Sequence, residues 1–251
     1  MTKHGHIPFE GIHNFRDLGG YETADGRKIR RGMLYRSGHL AAYTDDDMDR
    51  LKKLAIKTIV DFRTEDEIAM NPDPTIDGVR YIHDPAVKNG QVNADLKSLS
   101  TLNPERMMQF YDQIPVKNAT YRRLFRLLLQ DEPTPLLMHC TGGKDRTGGA
   151  AALLLLTLGV PMETVMEDYL ATNIYLEDFT NQLVGMYRMM MDEDGLATIR
   201  AMLRAEAKYL ETTMARISAE YGDFETYLRE DLGISAEDEK LLKERYLEQE
   251  A

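Results

Sequence analysis

The sequence predicts an α/β fold: a largely parallel central sheet flanked by helices, with a helical lid or C-terminal helical extension. Three observations carry this. Short apolar runs alternate with amphipathic stretches along the first half, the pattern of a sheet built by crossover connections. The run Pro135-Leu136-Leu137-Met138 passes through a glycine-bearing loop into Ala150-Ala151-Ala152-Leu153-Leu154-Leu155-Leu156, which reads as buried strand, tight loop and buried helix. Finally, Leu196, Ile199, Leu203, Ala207, Leu210, Met214, Ile217 and Tyr221 recur at steps of three and four, the spacing of one long amphipathic helix.

Taken in order, residues 1–13 form an irregular start. His4, His6 and His13 there read as solvated or locally bonded rather than as a metal site, because no second group of ligands accompanies them. Residues 14–20 make a polar loop whose Gly19-Gly20 permits a tight turn, and residues 21–31, centred on Asp25-Gly26, read as a hairpin. A short strand follows over 33–37. Thr44 caps a helix with Asp45, Asp46 and Asp47 in its first turn and Met48, Leu51 and Leu54 on its buried face.

Residues 56–62 form a buried strand, 65–70 a short acidic helix, and 79–83 another strand. Residues 86–103 are polar and read as a connection. Helices are expected over 104–113 and 118–130. On the second, Tyr121, Leu124, Phe125 and Leu128 line one face, while Arg122, Arg123 and Arg126 form a solvated face or, alternatively, attract a phosphorylated substrate. After Gly159 and Pro161, helices are expected over 162–175 and 177–191. The run Met186, Met189, Met190 and Met191 reads as a core face or as the cover of an apolar groove. Two short helices near 223–231 and 235–246 finish the chain.

The loop His139-Cys140-Thr141-Gly142-Gly143-Lys144-Asp145-Arg146-Thr147-Gly148 carries the chemistry. A helix that starts at its end offers unpaired N–H groups and a positive dipole end to an anion. The same features should depress the pKa of Cys140 and make it a nucleophilic thiolate. Arg146 can grip two oxygens of a tetrahedral anion. Gly142 and Gly143 let the amides point inward, Thr141 and Lys144 line the cradle, and Thr147 places a hydroxyl near the sulfur. A Walker-type nucleotide loop is excluded, since Asp145 follows Lys144 where Ser or Thr is required and Met138 stands where the first glycine would be.

His139-Cys140, five residues, then Arg146-Thr147-Gly148 resembles the signature of the cysteine-dependent protein tyrosine phosphatase superfamily. The Gly143-Lys144-Asp145-Arg146 core is similar to its bacterial, atypical dual-specificity branch. Two further blocks match: residues 14–20 with 31–38, and residues 59–67. The resemblance runs from about Asn14 to about Gly159 and implies phosphoryl transfer through a phosphocysteine, without a cofactor or metal. His139 then orients the loop, and inorganic phosphate leaves as product.

The leaving oxygen also needs a proton. The chain has no tryptophan, so the usual Trp-Pro-Asp acid loop is missing, and Asp145, then Asp84, then Asp61 are the candidates, with Asp145 matching the branch. Lys144 is associated in the family with inositide headgroups. The expected substrate is therefore a phosphoprotein carrying phosphotyrosine, with phosphoserine or phosphothreonine on a dual-specificity reading. A phosphoinositide phosphatase and a non-catalytic phospho-binding module are the alternatives. The intact Cys140 and Arg146 weigh against the last.

Length and composition bound the rest. At 251 residues and 43% hydrophobic, the chain suits one domain over 1–251, with 86–130 and 161–251 mainly helical and a lid among these helices. A net charge of −11 excludes nucleic acid as a main partner and disfavours an anionic membrane. No apolar stretch marks residues 1–10 as a secretory signal, and the run over 150–158 is too short to span a bilayer, so a cytoplasmic location without integral membrane contact is expected, with signal-free secretion as the open alternative. Cys140 is the sole cysteine, so no internal thiol can resolve its oxidised form.

Overall fold

The computed structural model describes residues 5–87, 104–130 and 134–249. Five strands form one sheet in the order β1-β2-β5-β3-β4. They are β1 (Arg16–Asp17), β2 (Leu34–Ser37), β3 (Thr58–Asp61), β4 (Arg80–His83) and β5 (Leu136–His139). Only β1 runs antiparallel, against β2. The other four are parallel and in register, so that Ser37 and Asp61 both lie opposite His139, and His83 lies opposite Asp61. Their carboxyl ends therefore finish at one level, with Cys140 directly beyond the central strand.

Period-two alternation divides the core. Leu34, Val60, Leu136 and Met138 face one side and join the larger apolar cluster. Tyr35, Ile59 and Leu137 face the other and pack with Leu51 of α1 (Asp45–Lys53). The larger side is covered by α3 (Pro104–Gln113), α4 (Ala119–Gln130), α5 (Arg146–Thr157), α6 (Met162–Tyr175) and α9 (Ala207–Tyr221), together with the last turns of the chain. α5 is buried on almost every side, which explains why its sequence is nearly all apolar. The helix starts follow their caps. Thr44 before α1, Thr64 before α2 (Glu65–Met70) and Ser235 before the C-terminal α11 (Ala236–Tyr246) each complete a capping box. α10 (Phe224–Tyr227) is one turn that runs on into a π-helical turn over Leu228–Leu232.

Two expectations need correction. The single long helix over 196–221 is two helices, α8 (Glu193–Leu203) and α9. At the break the backbone of Ala205 is satisfied by Asn173, whose side chain both accepts from its N–H at 2.7 Å and donates to its carbonyl at 2.9 Å. The carbonyls of Met202 and Arg204 accept from the Lys144 ammonium. With its polar groups paired by other elements, the chain has no need of helical bonds there. Second, α7 (Glu177–Tyr187) stops short of residue 191, and Met186, Met189 and Met190 are exposed, leaving only Met191 against the small cluster of Val184, Leu196 and Ile199. The expected hairpin over 21–31 is present in short form: Glu22 and Lys28 make an antiparallel bridge, with the Thr23 N–H donating to the Arg27 carbonyl at 2.8 Å and the Ile29 N–H to that of Tyr21 at 2.9 Å. On α4, Arg123 and Arg126 are exposed, in keeping with a solvated face, while the half-buried Arg122 pairs with Asp231 at 2.6 Å and Arg123 donates to Asp84 at 2.7 Å. His4 and most of the connection over 86–103 lie outside the described residues.

One buried ion group ties the sheet to α6. Asp168, wholly inside, accepts from Arg16 at 2.8 Å and Arg36 at 2.6 Å, and from the Tyr21 hydroxyl at 2.8 Å. Burial opposes its charge, but the two guanidinium groups prevail and hold its carboxyl below the usual range. Replacing Asp168 with Ala strands two buried guanidinium groups. Urea denaturation should register a loss of about 3–5 kcal/mol.

Candidate active site

Cys140 begins the loop that joins β5 to α5, and is buried. Behind it, His139 lies fully inside, with Nε2 at 3.2 Å from Asp73 and Nδ1 at 3.8 Å from Asp61. Burial alone would lower the pKa of His139, yet the two carboxylates outweigh it and raise it. These three side chains are close enough together to hold a cation. They do not suit one, because Arg63 already bridges both carboxylates, at 2.7 Å to Asp61 and 2.6 Å to Asp73.

The loop is held open from several sides. Arg146 makes a two-pronged pair with Glu67, Nη1 at 2.6 Å and Nη2 at 2.7 Å. Glu67 is the third residue of α2, whose capping box fixes it, and it also accepts from the Thr141 hydroxyl. Despite burial, these bonds pull the Glu67 pKa down from 4.5 to about 2, with Arg146 the main cause. Burial likewise opposes the charge on Arg146, but Cys140, Glu67 and Asp145 keep it above its ordinary value. Thr147 is buried, and its hydroxyl has no hydrogen-bond partner among the described residues.

The other predicted residues separate. Asp145 is partly exposed; it accepts from the Tyr111 hydroxyl and lies 3.2 Å from the Lys144 ammonium. Tyr111 in turn bonds Tyr169 at 2.6 Å. Lys144 itself is buried, with its ammonium against the α8–α9 junction and over the Tyr209 ring, not extended into the cradle. Asp61 is wholly buried. Despite that burial, His139, Arg63 and Tyr81 hold its carboxyl far below the usual range. Asp84 gives both oxygens to Arg123 and Thr120.

Of the two loop glycines, only Gly143 is required by geometry. Its φ is +66°, and a Cβ there would lie 2.3 Å from the Ser37 carbonyl oxygen. A Cβ on Gly142 would make an ordinary 3.6 Å contact with Leu176. The loop's rim at Thr141 and Gly142 opens on a crevice lined by His13, His39, Leu176 and Phe179.

Sequence reasoning assigned no role to Glu67, Asn14, Arg36 or Asp168. The first three stand inside blocks already recognised. Asp168 had its own signal, a lone carboxylate three residues after Val165 on a face of buried residues.

A parallel sheet, a cysteine at the carboxyl end of its central strand and an arginine at the start of the next helix define a cysteine-dependent phosphatase. Residues 7–248 match the family described as "Tyrosine phosphatase family". The chain belongs to that family, and it is a phosphoric monoester hydrolase of the tyrosine phosphatase type.

Among its relatives, "Putative tyrosine-protein phosphatase H16_A0669" of Cupriavidus necator is 35% identical over 237 residues, covering 91% of this chain and 84% of the relative. "Triple specificity protein phosphatase PtpB" of Mycobacterium tuberculosis is 28% identical, covering 90% and 93%. Among solved structures, TpbA of P. aeruginosa is similar at 19% identity over 76% of this chain and 89% of its own, with a TM-score of 0.30, too low to add to the argument. No described helix is long and apolar enough to cross a membrane.

Two outcomes follow from the geometry. Gly143→Ala should destabilise the protein by at least about 1–2 kcal/mol, while Gly142→Ala stays within about 0.5 kcal/mol, both by denaturant titration. Because Glu67 titrates lower in the folded chain than in the unfolded one, its contribution is complete above about pH 4.5 and is lost as pH falls toward 2. That loss is about 3 kcal/mol, and a stability–pH series on Glu67→Gln should lack it.

Proposed function

We propose that the chain hydrolyses phosphotyrosine in proteins in two steps, with Cys140 as nucleophile and Asp145 as general acid. Cys140 attacks phosphorus, and the phenol leaves with the proton of Asp145; water then attacks the phosphocysteine and releases inorganic phosphate. Arg146 and the loop amides bind the equatorial oxygens throughout. The observation that carries this reading is the Arg146–Glu67 pair. With Nη1 and Nη2 held by the carboxylate, and more loosely by the Phe62 carbonyl at 3.4 Å and the Thr141 hydroxyl at 3.5 Å, the guanidinium is fixed in plane, and its Nε–H edge is the side offered to an anion. Thr141, Gly142, Gly143, Lys144 and Thr147 complete the cradle, Lys144 through its backbone N–H.

Asp145 is preferred as the acid because it is the one carboxylate of the three candidates with solvent access and no arginine partner: its side chain is 28% exposed, against 0% for Asp61 and 11% for Asp84. The relative named a triple specificity protein phosphatase supports a range wider than phosphotyrosine alone. The position of the Lys144 ammonium, turned to the α8–α9 junction, favours the phosphoprotein over the inositide as the main substrate. We read α7 and α8 as the lid of one domain, since Leu176 and Phe179 at the start of α7 wall the crevice beside Gly142. A cytoplasmic location suits this substrate.

The test is phosphate release from phosphotyrosine peptide, phosphoserine peptide and a phosphoinositide, with EDTA present. Cys140→Ser should abolish release from all three, with phosphotyrosine the best substrate of the wild type. Asp145→Asn should lower kcat by about 10²–10⁴ for an alkyl or poorly activated phenyl ester and remove the alkaline limb of its pH profile. An unchanged limb would remove Asp145 from the role.

A further inference from the structure

The anion loop presents its carbonyls outward, and two buried side chains from the N-terminal segment take hold of them. Asn14 donates both hydrogens of its carboxamide, to the carbonyls of Gly142 at 3.1 Å and Gly143 at 3.2 Å. Arg36, in β2, donates from Nη2 to the same Gly143 carbonyl at 2.7 Å, while its Nη1 is anchored on Asp168. The backbone N–H of His39 holds the preceding carbonyl, that of Thr141, at 3.0 Å.

We propose that Asn14 and Arg36 are positioning residues of the phosphatase reaction, which set the direction of the Gly143 and Lys144 N–H groups toward the bound phosphate. The reason is peptide planarity. In a trans peptide the C=O of one residue and the N–H of the next point to opposite sides. Drawing the Gly142 oxygen outward onto Asn14 turns the Gly143 N–H inward, and drawing the Gly143 oxygen onto Asn14 and Arg36 turns the Lys144 N–H inward. The His39 bond does the same for Gly142. Three successive amides are thus aimed before any anion arrives, so the cradle is preorganised and no reorientation is left to the moment of reaction.

Asn14 is an unfavourable choice for a position that only packs. It is 1% exposed, its φ is +57°, and its Oδ1 is buried with no hydrogen-bond partner among the described residues. A glycine would relieve both strains. The one thing it could not supply is the pair of donors to the loop. Backbone strain and an unpaired polar atom of this kind gather where geometry serves a site.

The inference rests on the reading that the loop amides bind phosphate, and orthovanadate, a tetrahedral oxyanion, serves as the probe. The decisive variant is Asn14→Gly, which keeps the positive φ and removes only the clamp. Inhibition by vanadate and the kinetics on phosphotyrosine peptide are measured together. Because an inhibition constant does not depend on the fraction of molecules folded, a merely structural role would leave it unmoved.

We expect the vanadate constant to weaken about tenfold or more, with kcat falling and KM changing less, as loss of one or two aimed hydrogen bonds predicts. Asn14→Asp, which keeps the shape but presents an oxygen to the carbonyls, should be as weak or weaker. A constant within about threefold of wild type in either variant would overturn the proposal. If Asn14→Gly does not fold, the same threshold applied to Asn14→Asp and Arg36→Lys decides it. Failure of the wild type itself to bind vanadate would instead refute the underlying phosphate-cradle reading.

Discussion

Asp168 is the point on which the rest of the architecture leans. It is a single carboxylate in the middle of α6, sealed from water, and two arginines from different strands depend on it. An unpaired guanidinium cannot be left in such an interior. Satisfying Arg36 at one end leaves its other nitrogen free to hold Gly143, and satisfying Arg16 fixes β1 against α6. The position of the anion loop is therefore set from the rear by charge compensation, while its front is set by Arg146 and Glu67. The loop itself contributes little rigidity; its turn depends on a glycine at Gly143 and on partners that arrive from more than a hundred residues away.

Local information in the chain is a good guide to where elements begin, because a cap is a local bond. The threonines before α1 and α2 and the serine before α11 announce their helices through side chains three residues apart. It is a poor guide to where a helix breaks for a tertiary reason. The three-and-four spacing continues unbroken from Leu196 to Tyr221, and nothing in it betrays that Asn173 and Lys144 claim the backbone near Ala205. The methionine run is a related case. Its spacing suits a buried face or the cover of a groove, but α7 gives way to a turn after Tyr187, and three of the four side chains stand in solvent.

The candidate site divides along the same line. That cysteine, arginine and threonine share one strand–loop–helix unit was legible, because their placement follows from residue type and spacing within a short stretch. The residues that hold them were not, although Asn14, Arg36 and Glu67 stood in plain view within recognisable blocks. Their partners are backbone carbonyls and a guanidinium far along the chain, and one sequence carries no record of such pairings. Asp61 shows how two readings of one residue part: a carboxylate at a strand end suits either a catalytic acid or the partner of an arginine such as Arg63, and only the partners distinguish them. Arg63, Tyr81 and the nearby His139 turn it into a brace beneath the loop.

Lys144 shows how far geometry can redirect a residue whose type suggests one task. A lysine inside an anion loop is read most simply as a cation for the substrate. Here its ammonium is almost out of water and satisfied by two carbonyls at the end of α8, where the helix's own negative end collects. The side chain of Asp145, next in sequence, lies 3.2 Å from the same ammonium and so shares its field. The loop and the break between α8 and α9 are consequently one electrostatic unit. The lysine's side chain serves the helix junction, and any movement of α8 away from the loop must free the ammonium that now stands beside the proposed acid.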